Sequence, residues 1–263
     1  MATRITIIGS GTLLPNHRHR SPGHLIETAG AKVLLDCGSG VVHGLSAEGR
    51  DWSAISHVAI SHFHADHFGD LPALLWAWTH GVPRQERFPR VLIGPRGVSR
   101  VLDALASAYG DFIREPGGPL ELLERADGDV WGAEGGGFVI RAHKTLHTEE
   151  SIAFRVETET HAVGYTGDTG PLASLGAFFR GADVLISECA VADGSAAENH
   201  LSPAGVANLA AEARPDVLVL THVYPEVDRD EIVNALRRAE FDGAIEVAGD
   251  GLVIELGRDP SGD

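Results

Sequence analysis

Cysteine is scarce in this chain, with two residues, Cys37 and Cys189, among 263. Neither belongs to a Cys-x-x-Cys pair, which argues against a thiolate metal site. Both lie in apolar, strand-like contexts, and two thiols in such a setting do not make a disulfide framework. We therefore expect two buried free thiols.

Long apolar runs are also lacking. No run approaches the roughly 20 residues that a membrane-spanning helix needs, so no membrane partner is expected. The first residues run directly into a strand-like alternation and show no signal peptide, which predicts a cytoplasmic protein.

Basic residues are few, with 21 lysines and arginines against 37 aspartates and glutamates, giving a formal net charge of −16. This charge opposes binding to a polyanion, because phosphate contacts need clustered cations. The densest arginines are Arg84, Arg87, Arg90 and Arg96, and Glu86 interrupts them. We therefore expect a small or short substrate and disfavour a long nucleic acid as a partner.

Histidine is abundant, with 14 residues, and it concentrates in one stretch. Residues 61–67 read Ser-His-Phe-His-Ala-Asp-His and follow the apolar run 57–60, which predicts a short buried strand. That strand would place His62, His64, Asp66 and His67 in a tight loop. Histidine and aspartate are seldom buried without partners, and both are standard zinc ligands. The stretch predicts a metal site rather than a solvated loop.

Strand and helix patterns continue on both sides of this stretch. Apolar or alternating runs predict strands near 4–8, 24–27, 32–36, 91–94, 120–123, 138–142, 152–157, 161–165, 183–188, 217–221, 244–247 and 252–256. Helices are expected at 41–45, 70–80, 97–109, from 203 onwards and at 230–240. A glycine-rich turn is expected at 133–137 and a frayed tail from 257. No linker separates domains, so residues 1–263 are expected to form one domain of two sheets with helices outside.

Polar residues also follow strands that are distant in sequence: His147, Asp168 and His222. If the fold gathers strand ends at one edge, these residues join the 61–67 stretch to give five imidazoles and two carboxylates. One tetrahedral zinc takes about four ligands, so this set suits two metals roughly 3.5–4 Å apart with a bridging carboxylate. Asp36 ends another strand beside a glycine loop. It could orient a histidine from outside the metal or simply cap the loop.

The pattern His-x-His-x-Asp-His after an apolar strand resembles the signature of metallo-β-lactamase-fold hydrolases. This resemblance implies an α+β fold, a four-layer αββα sandwich of two mixed β-sheets with helices on the outer faces. It also implies two divalent metal ions, zinc by preference with manganese as the alternative. The implied ligands are His62, His64 and His147 for the first metal, Asp66, His67 and His222 for the second, and Asp168 as the bridge.

Two further motifs resemble the branch that contains ribonuclease Z and the cyclic-phosphate phosphodiesterases. They are Ser187-Glu188-Cys189 and His200-Leu201-Ser202-Pro203. In that branch, a histidine at the position of His200, paired with a glutamate like Glu188, serves the leaving group. An imidazole held by a carboxylate can protonate an alkoxide, and a helix start favours an anion nearby. The alternative is that His200 only precedes a helix cap.

The chain departs from ribonuclease Z in one respect. In that enzyme a long, glycine-rich arm that holds transfer RNA typically lies between the ligands that match His147 and Asp168. Only residues 148–167 separate them here, which is enough for a hairpin. Together with the net charge, this argues against transfer-RNA processing but not against phosphodiester chemistry on a smaller molecule.

These features predict a dinuclear metal-dependent hydrolase, a phosphodiesterase acting on a small or short phosphodiester. Asp66 would orient or deprotonate the attacking water, and His200 would protonate the departing oxygen. The alternative is a hydrolase of carboxylic esters, thioesters, lactones or β-lactams on the same metals, for which His200 would be less essential. A non-catalytic metal-binding module is disfavoured because no ligand position is missing. The resemblance also allows a homodimer.

Overall fold

The computed structural model describes residues 2–132 and 137–257. The predicted glycine-rich turn and C-terminal tail lie outside these residues, apart from Gly137 and Gly257. No helix within the described ranges combines the length and the apolar character needed to cross a membrane.

Fourteen strands and seven α-helices make up the described chain. The strands are β1 Thr3–Gly9, β2 Gly23–Glu27, β3 Lys32–Leu35, β4 His57–Ala59, β5 Arg90–Pro95, β6 Leu120–Arg125, β7 Val130–Gly132, β8 Phe138–Lys144, β9 Ile152–Thr158, β10 Ala162–Tyr165, β11 Val184–Glu188, β12 Val217–Thr221, β13 Ala244–Val247 and β14 Val253–Leu256. The helices are α1 Val41–Ala47, α2 Ala65–Phe68, α3 Leu71–Gly81, α4 Val98–Tyr109, α5 Ala173–Phe179, α6 Pro203–Ala213 and α7 Arg229–Arg238. Single 3-10 turns lie at Trp52–Ala54, Arg84–Glu86 and Asp111–Ile113.

The strands form two seven-stranded sheets, in the orders β14-β1-β2-β3-β4-β5-β6 and β13-β12-β11-β10-β9-β8-β7. Both sheets are mixed. In the first, β3 to β6 run parallel while β14, β1, β2 and β3 pair antiparallel. In the second, β10 to β13 run parallel while β7 to β10 pair antiparallel. The carboxyl ends of each parallel set therefore meet at one edge of their sheet.

The two sheets pack face to face, with helices on both outer faces. Alternation along β1 sends Ile5 and Ile7 into the core between the sheets, while Ile8 faces the core under the first helical layer. Helices α1, α3 and α4 cover the first sheet, and α5, α6 and α7 cover the second. This is the four-layer αββα sandwich that the sequence predicts. Because one apolar core joins both sheets, we propose that the chain forms a single domain.

Three elements were not expected from the sequence. Residues 65–68 form a helical turn rather than a loop, and they carry two of the predicted metal ligands. Helix α5 and strand β7 are short, and β7 ends on a glycine, so neither shows a clear period. Both cysteines are buried and free, as predicted.

Strand β4 carries a histidine in the core between the sheets. His57 is 8% exposed, its Nδ1 lies 2.7 Å from the Ser56 hydroxyl, and its ring packs about 5 Å from the rings of Trp131 and Phe138. Burial lowers its pKa to about 4. The folded protein therefore keeps this imidazole neutral, whereas the unfolded chain binds a proton below about pH 6.5. Its contribution to stability is present above pH 6.5 and is lost as the pH falls toward 4.

We predict that His57→Gln makes the fold less sensitive to acid. Between pH 7.5 and 5.0 the wild type should lose about 2 kcal/mol of unfolding free energy through this residue alone. The variant should lose that much less over the same interval, measured by urea unfolding in the presence of a chelator. His43→Gln is the control, because His43 is exposed on α1. Equal acid losses in wild type and His57→Gln would contradict the prediction.

Candidate metal centre

The seven predicted metal ligands lie together at the edge where the parallel strands end. His62 and His64 follow β4, and the turn α2 carries Asp66 and His67. The other three lie in the segments that follow β8, β10 and β12: His147, Asp168 and His222. Strands β10 and β12 belong to the parallel set, and β8 runs in the same direction as β10 because each pairs antiparallel with β9. Their carboxyl ends therefore lie on one edge and bring residues up to 160 positions apart into one cluster.

One group consists of His62, His64, His147 and Asp168, whose ligand atoms all lie within 4.8 Å of one another. The His147 Nε2 lies 3.0 Å from the His64 Nδ1. The Asp168 Oδ2 lies 3.9 Å from the His62 Nε2 and 3.7 Å from the His147 Nε2. Nitrogen atoms separated in this way can share one cation.

The second group consists of Asp66, His67 and His222, again within 4.8 Å. The His222 Nε2 lies 3.3 Å from the Asp66 Oδ2. Asp168 reaches both groups, because its Oδ1 lies 3.3 Å from the His67 Nε2 and its Oδ2 faces the first group. The two groups match the two ligand sets expected from the sequence, although their function as ligands stays a prediction.

Buried atoms without partners provide a test of whether metals fit here. Among the described residues, the His62 Nε2, the His67 Nε2 and the Asp168 Oδ1 are buried and have no hydrogen-bond partner. A buried polar atom without a partner costs about 1–3 kcal/mol, and more when charged. Bound cations would satisfy three such atoms that face one another, so the residues present fit a pair of divalent metals.

The outer hydrogen bonds of three histidines fix which nitrogen faces the cluster. The His67 Nδ1 donates to the Asp36 carboxylate at 2.7 Å, and the His147 Nδ1 donates to the Asn199 carbonyl at 3.0 Å. The His62 Nδ1 lies 3.0 Å from the Ser61 hydroxyl, which itself donates to Asp36. In each case the Nε2 keeps its lone pair for a metal, as second-sphere partners arrange in known metal sites.

Asp36 accepts four hydrogen bonds and is completely buried. Its Oδ1 accepts from the Ser61 amide at 2.7 Å. Its Oδ2 accepts from the Ser61 hydroxyl, the His67 Nδ1 and the Tyr165 hydroxyl, at 2.7, 2.7 and 2.6 Å. Asp36 therefore orients a histidine, which was one of its two expected roles. Tyr165 was missed, although its place two residues before Gly167-Asp168 is a usable signal.

Two site residues adopt an uncommon backbone conformation. Asp36 has φ 57° and His222 has φ 53°, in the left-handed region that non-glycine residues rarely occupy. Such conformations persist where the surroundings hold them, and they cluster at functional sites. Asp36 directly follows β3 and His222 directly follows β12. At each position the chain leaves the strand and turns the side chain toward the cluster.

Glu188 and His200 form a close pair beside the cluster. The His200 Nδ1 lies 3.0 and 3.1 Å from the two Glu188 oxygens, so it donates and leaves Nε2 free. Burial by itself would lower the pKa of His200, but the hydrogen bond to Glu188 together with the negative charges of Glu188 and Asp168 raises it. Glu188 is 1% exposed and also accepts from the amides of Thr169, Ala190 and Leu201. One His200 nitrogen lies within 4.8 Å of ligand atoms of Asp168 and His222.

A cleft of about 800 Å³ opens directly on the cluster. His64 and Asp66 line its floor, and the loop 12–16 lines its wall with Leu13, Leu14 and Pro15. Asp250 holds this loop in place, because it accepts from the amides of Ser10 and Arg20. The cleft is wide enough for a substrate larger than a bare phosphate.

Comparisons with known proteins agree with this geometry. The family model described as "Beta-lactamase superfamily domain" matches residues 31–223. A protein named Ribonuclease Z from Mycobacterium marinum is 30% identical over 278 aligned positions, covering 96% of this chain and 98% of that protein. The metallo-beta-lactamase fold protein YhfI from Bacillus subtilis superposes with a TM-score of 0.82 at 25% identity, covering 97% of this chain and 100% of YhfI. The short form of human tRNase Z shares the fold, with a TM-score of 0.75 at 22% identity over 95% of this chain and 98% of its own.

We predict that Asp36→Asn weakens metal binding about 10- to 100-fold, because the amide no longer fixes the His67 tautomer. The measurement is competition with a chromogenic zinc chelator. Asp51→Asn is the control, since Asp51 is exposed and its side chain accepts hydrogen bonds from Ser53 of its own turn. Unchanged affinity in Asp36→Asn, with an intact melting transition, would contradict an orienting role.

Proposed function

The chain belongs to the beta-lactamase superfamily as a metal-dependent hydrolase, and from that premise we propose that it is a dinuclear phosphodiesterase. The supporting observation is the Glu188–His200 pair beside the cluster of seven ligands. A carboxylic ester or lactone also expels an alkoxide, but it does so from a tetrahedral intermediate after the attack. The leaving oxygen of a phosphodiester departs in the transition state of the attack itself and gains more from a positioned proton donor. The pair therefore favours a phosphodiester over a carboxylic ester, thioester, lactone or β-lactam.

We propose that the site holds two divalent ions, zinc by preference or manganese. His62, His64 and His147 would hold the first, Asp66, His67 and His222 the second, and Asp168 would bridge them. When bound, such a pair lowers the pKa of a shared water from about 16 toward 7 and neutralises charge on the phosphoryl group.

The protein's own residues would then position the reactants and move protons. Asp66, whose Oδ2 lies 3.3 Å from the His222 Nε2, would orient the attacking water or accept its proton. His200, with Nδ1 held by Glu188, would give the proton on Nε2 to the departing oxygen. Glu188 would keep that imidazole in one tautomer and stabilise its charged form, since a buried carboxylate favours a protonated partner.

A short RNA or another short phosphodiester is the substrate class that we propose. The curated relatives carry the name Ribonuclease Z, which supports RNA. The segment 148–167 folds as the hairpin of β9 and β10 and contains no long arm. With a net charge of −16, such a surface offers little to a long polyanion. A short RNA agrees both with the name of the relatives and with the acidic surface of this chain.

We predict about two metal ions per chain in purified protein, measured by elemental analysis. His64→Ala should lose at least one of them and most of the phosphodiesterase activity, because His64 is a proposed ligand of the first metal. His43→Ala, on the exposed face of α1, should keep both. A wild type without bound metal, or a His64→Ala variant with full hydrolysis, would contradict the proposed centre.

The role of His200 makes a second prediction, which depends on the leaving group. His200→Ala should lower kcat about 10²- to 10⁴-fold for a dinucleotide, whose departing alkoxide needs a proton. It should lower kcat much less for bis(p-nitrophenyl) phosphate, because p-nitrophenolate departs without one. His161→Ala is a control, since His161 bonds Asp183 and the Gly257 carbonyl outside the cluster.

The same assay separates the two classes of hydrolase. Faster turnover of p-nitrophenyl acetate or a lactone than of either phosphodiester, with no effect of His200→Ala, would show that the phosphodiesterase proposal is wrong and would favour the carbonyl-directed alternative.

A further inference from the structure

A second pocket, of about 450 Å³, lies beside the cluster of proposed metal ligands, on the side of Phe63. Phe63 lies between His62 and His64 in the sequence, and its ring lines this pocket. Ile152 lines it as well, and its amide donates to the Ser61 carbonyl at 3.0 Å. The opposite wall includes Glu149, two residues after His147. The pocket therefore adjoins the segments that carry the proposed ligands of the first metal.

Cationic side chains from three segments line this pocket: Arg96 and Arg100 around the start of α4, Arg125 at the end of β6 and Lys144 at the end of β8. They are four of only 21 lysines and arginines in the chain. The sequence did not reveal this cluster, because the densest arginines in the sequence lie at 84–96 and only Arg96 among them faces the pocket. Pairing of Pro95 with Arg125 across β5 and β6 brings two of these segments together.

Among the residues that the structure describes, no carboxylate oxygen lies within 4.0 Å of these arginines, although the charge of Arg96 helps to lower the pKa of the nearby Glu124. No ion pair in these ranges includes Arg96, Arg100 or Arg125. The Arg125 Nε is buried and makes no hydrogen bond within the described chain, while its guanidinium donates elsewhere only to the Glu124 carbonyl. Guanidinium groups left in this state favour a phosphate, which they can bind through two parallel hydrogen bonds.

Carboxylates also line the pocket, and they decide where an anion can lie. Asp127 accepts from the His143 ring at 2.7 Å and from the Lys144 amide at 3.0 Å, so its charge is already engaged. Glu149 and Glu150 lie on the Lys144 side. Lys144 donates to the carbonyls of Thr148 and Glu149, at 2.6 and 2.7 Å. The arginine side is therefore the part of the pocket that can accept an anion.

An aromatic ring lies against that arginine side. A β-carbon placed on Gly97 would lie 3.9 Å from both the Arg100 guanidinium and the Phe63 ring, so the two groups flank the same gap. Phe63 packs on Phe68 and keeps part of its ring accessible. Cations beside an aromatic face are the usual means of holding a single nucleotide, with the phosphate on the cations and the base against the ring.

We propose that this pocket binds the nucleotide unit next to the scissile phosphodiester, with its further phosphate on Arg100 and Arg125 and its base against Phe63. This inference rests on the proposed phosphodiesterase function and narrows its substrate class. The preferred substrate is a short oligonucleotide that carries at least one phosphate besides the one being cleaved. A simple diester with no second phosphate leaves the pocket empty.

The test compares ribodinucleotides without a terminal phosphate and with one at the 5′ or the 3′ end. The wild type should show kcat/KM about tenfold higher for one of the phosphorylated forms, mainly through KM, because the guanidinium groups bind the terminal phosphate through charge-assisted hydrogen bonds in the ground state. Arg100→Gln/Arg125→Gln should reduce this ratio to within about twofold. Arg84→Gln removes a similar exposed charge elsewhere and should keep the ratio. His64→Ala controls for contaminating ribonuclease, and thermal melting confirms that the double variant is folded.

Each outcome decides between the pocket and the proposed activity. No preference for either phosphorylated form, or equal loss in Arg84→Gln, would overturn the pocket while leaving the phosphodiesterase proposal intact if bis(p-nitrophenyl) phosphate is still hydrolysed. If no phosphodiester is hydrolysed, the proposed function fails. Calorimetry with a methylphosphonate-linked dinucleotide carrying a terminal phosphate then tests the pocket alone. Binding to wild type that the double variant loses supports the pocket, and equal binding overturns it.

Discussion

The carboxylate of Asp36 joins the parts of the molecule on which the site depends. It follows β3 in the first sheet, and it accepts from Tyr165 at the end of β10 in the second. It also accepts from Ser61 and His67, which belong to the segment that carries the proposed ligands. A buried carboxylate is stable only when its oxygens are satisfied. The contacts that satisfy Asp36 therefore fix the distance between the two sheets where the histidines converge.

The orientation of the imidazoles follows from hydrogen-bonding groups around the cluster rather than from the cluster alone. A carbonyl holds His147, a hydroxyl faces His62, and a carboxylate holds His67. These contacts set the tautomers before any cation arrives, so the cost of ordering the ligands belongs to folding. The apolar core between the sheets supports this arrangement, because its packing leaves the strand ends little freedom.

The proposed proton transfer and substrate binding depend on a second set of residues, which are not metal ligands. Glu188 ends β11 and receives three amides besides His200, so the pair is rigid. The cationic part of the pocket beside Phe63 is built differently, from exposed or half-buried side chains of the turn after β5, of α4, and of the ends of β6 and β8. The Glu188–His200 pair near the proposed reaction site is rigid, whereas the pocket side chains farther away can adapt. This arrangement suits one reaction on substrates of variable length.

The sequence by itself determined most of the strand and helix pattern, because alternation is a local property. It also indicated the seven proposed ligands: four by their spacing in 61–67, and His147, Asp168 and His222 by their places after predicted strands and by the family resemblance. It also indicated Glu188 and His200 through their motifs. It could not show that Tyr165 bonds Asp36, or that Arg100, Arg125 and Lys144 line one pocket, because those contacts join residues far apart in the chain. The sequence also did not predict the short elements α5 and β7, because each has too few residues to show a clear hydrophobic period. Which distant side chains meet is decided only when both sheets pack on their common core.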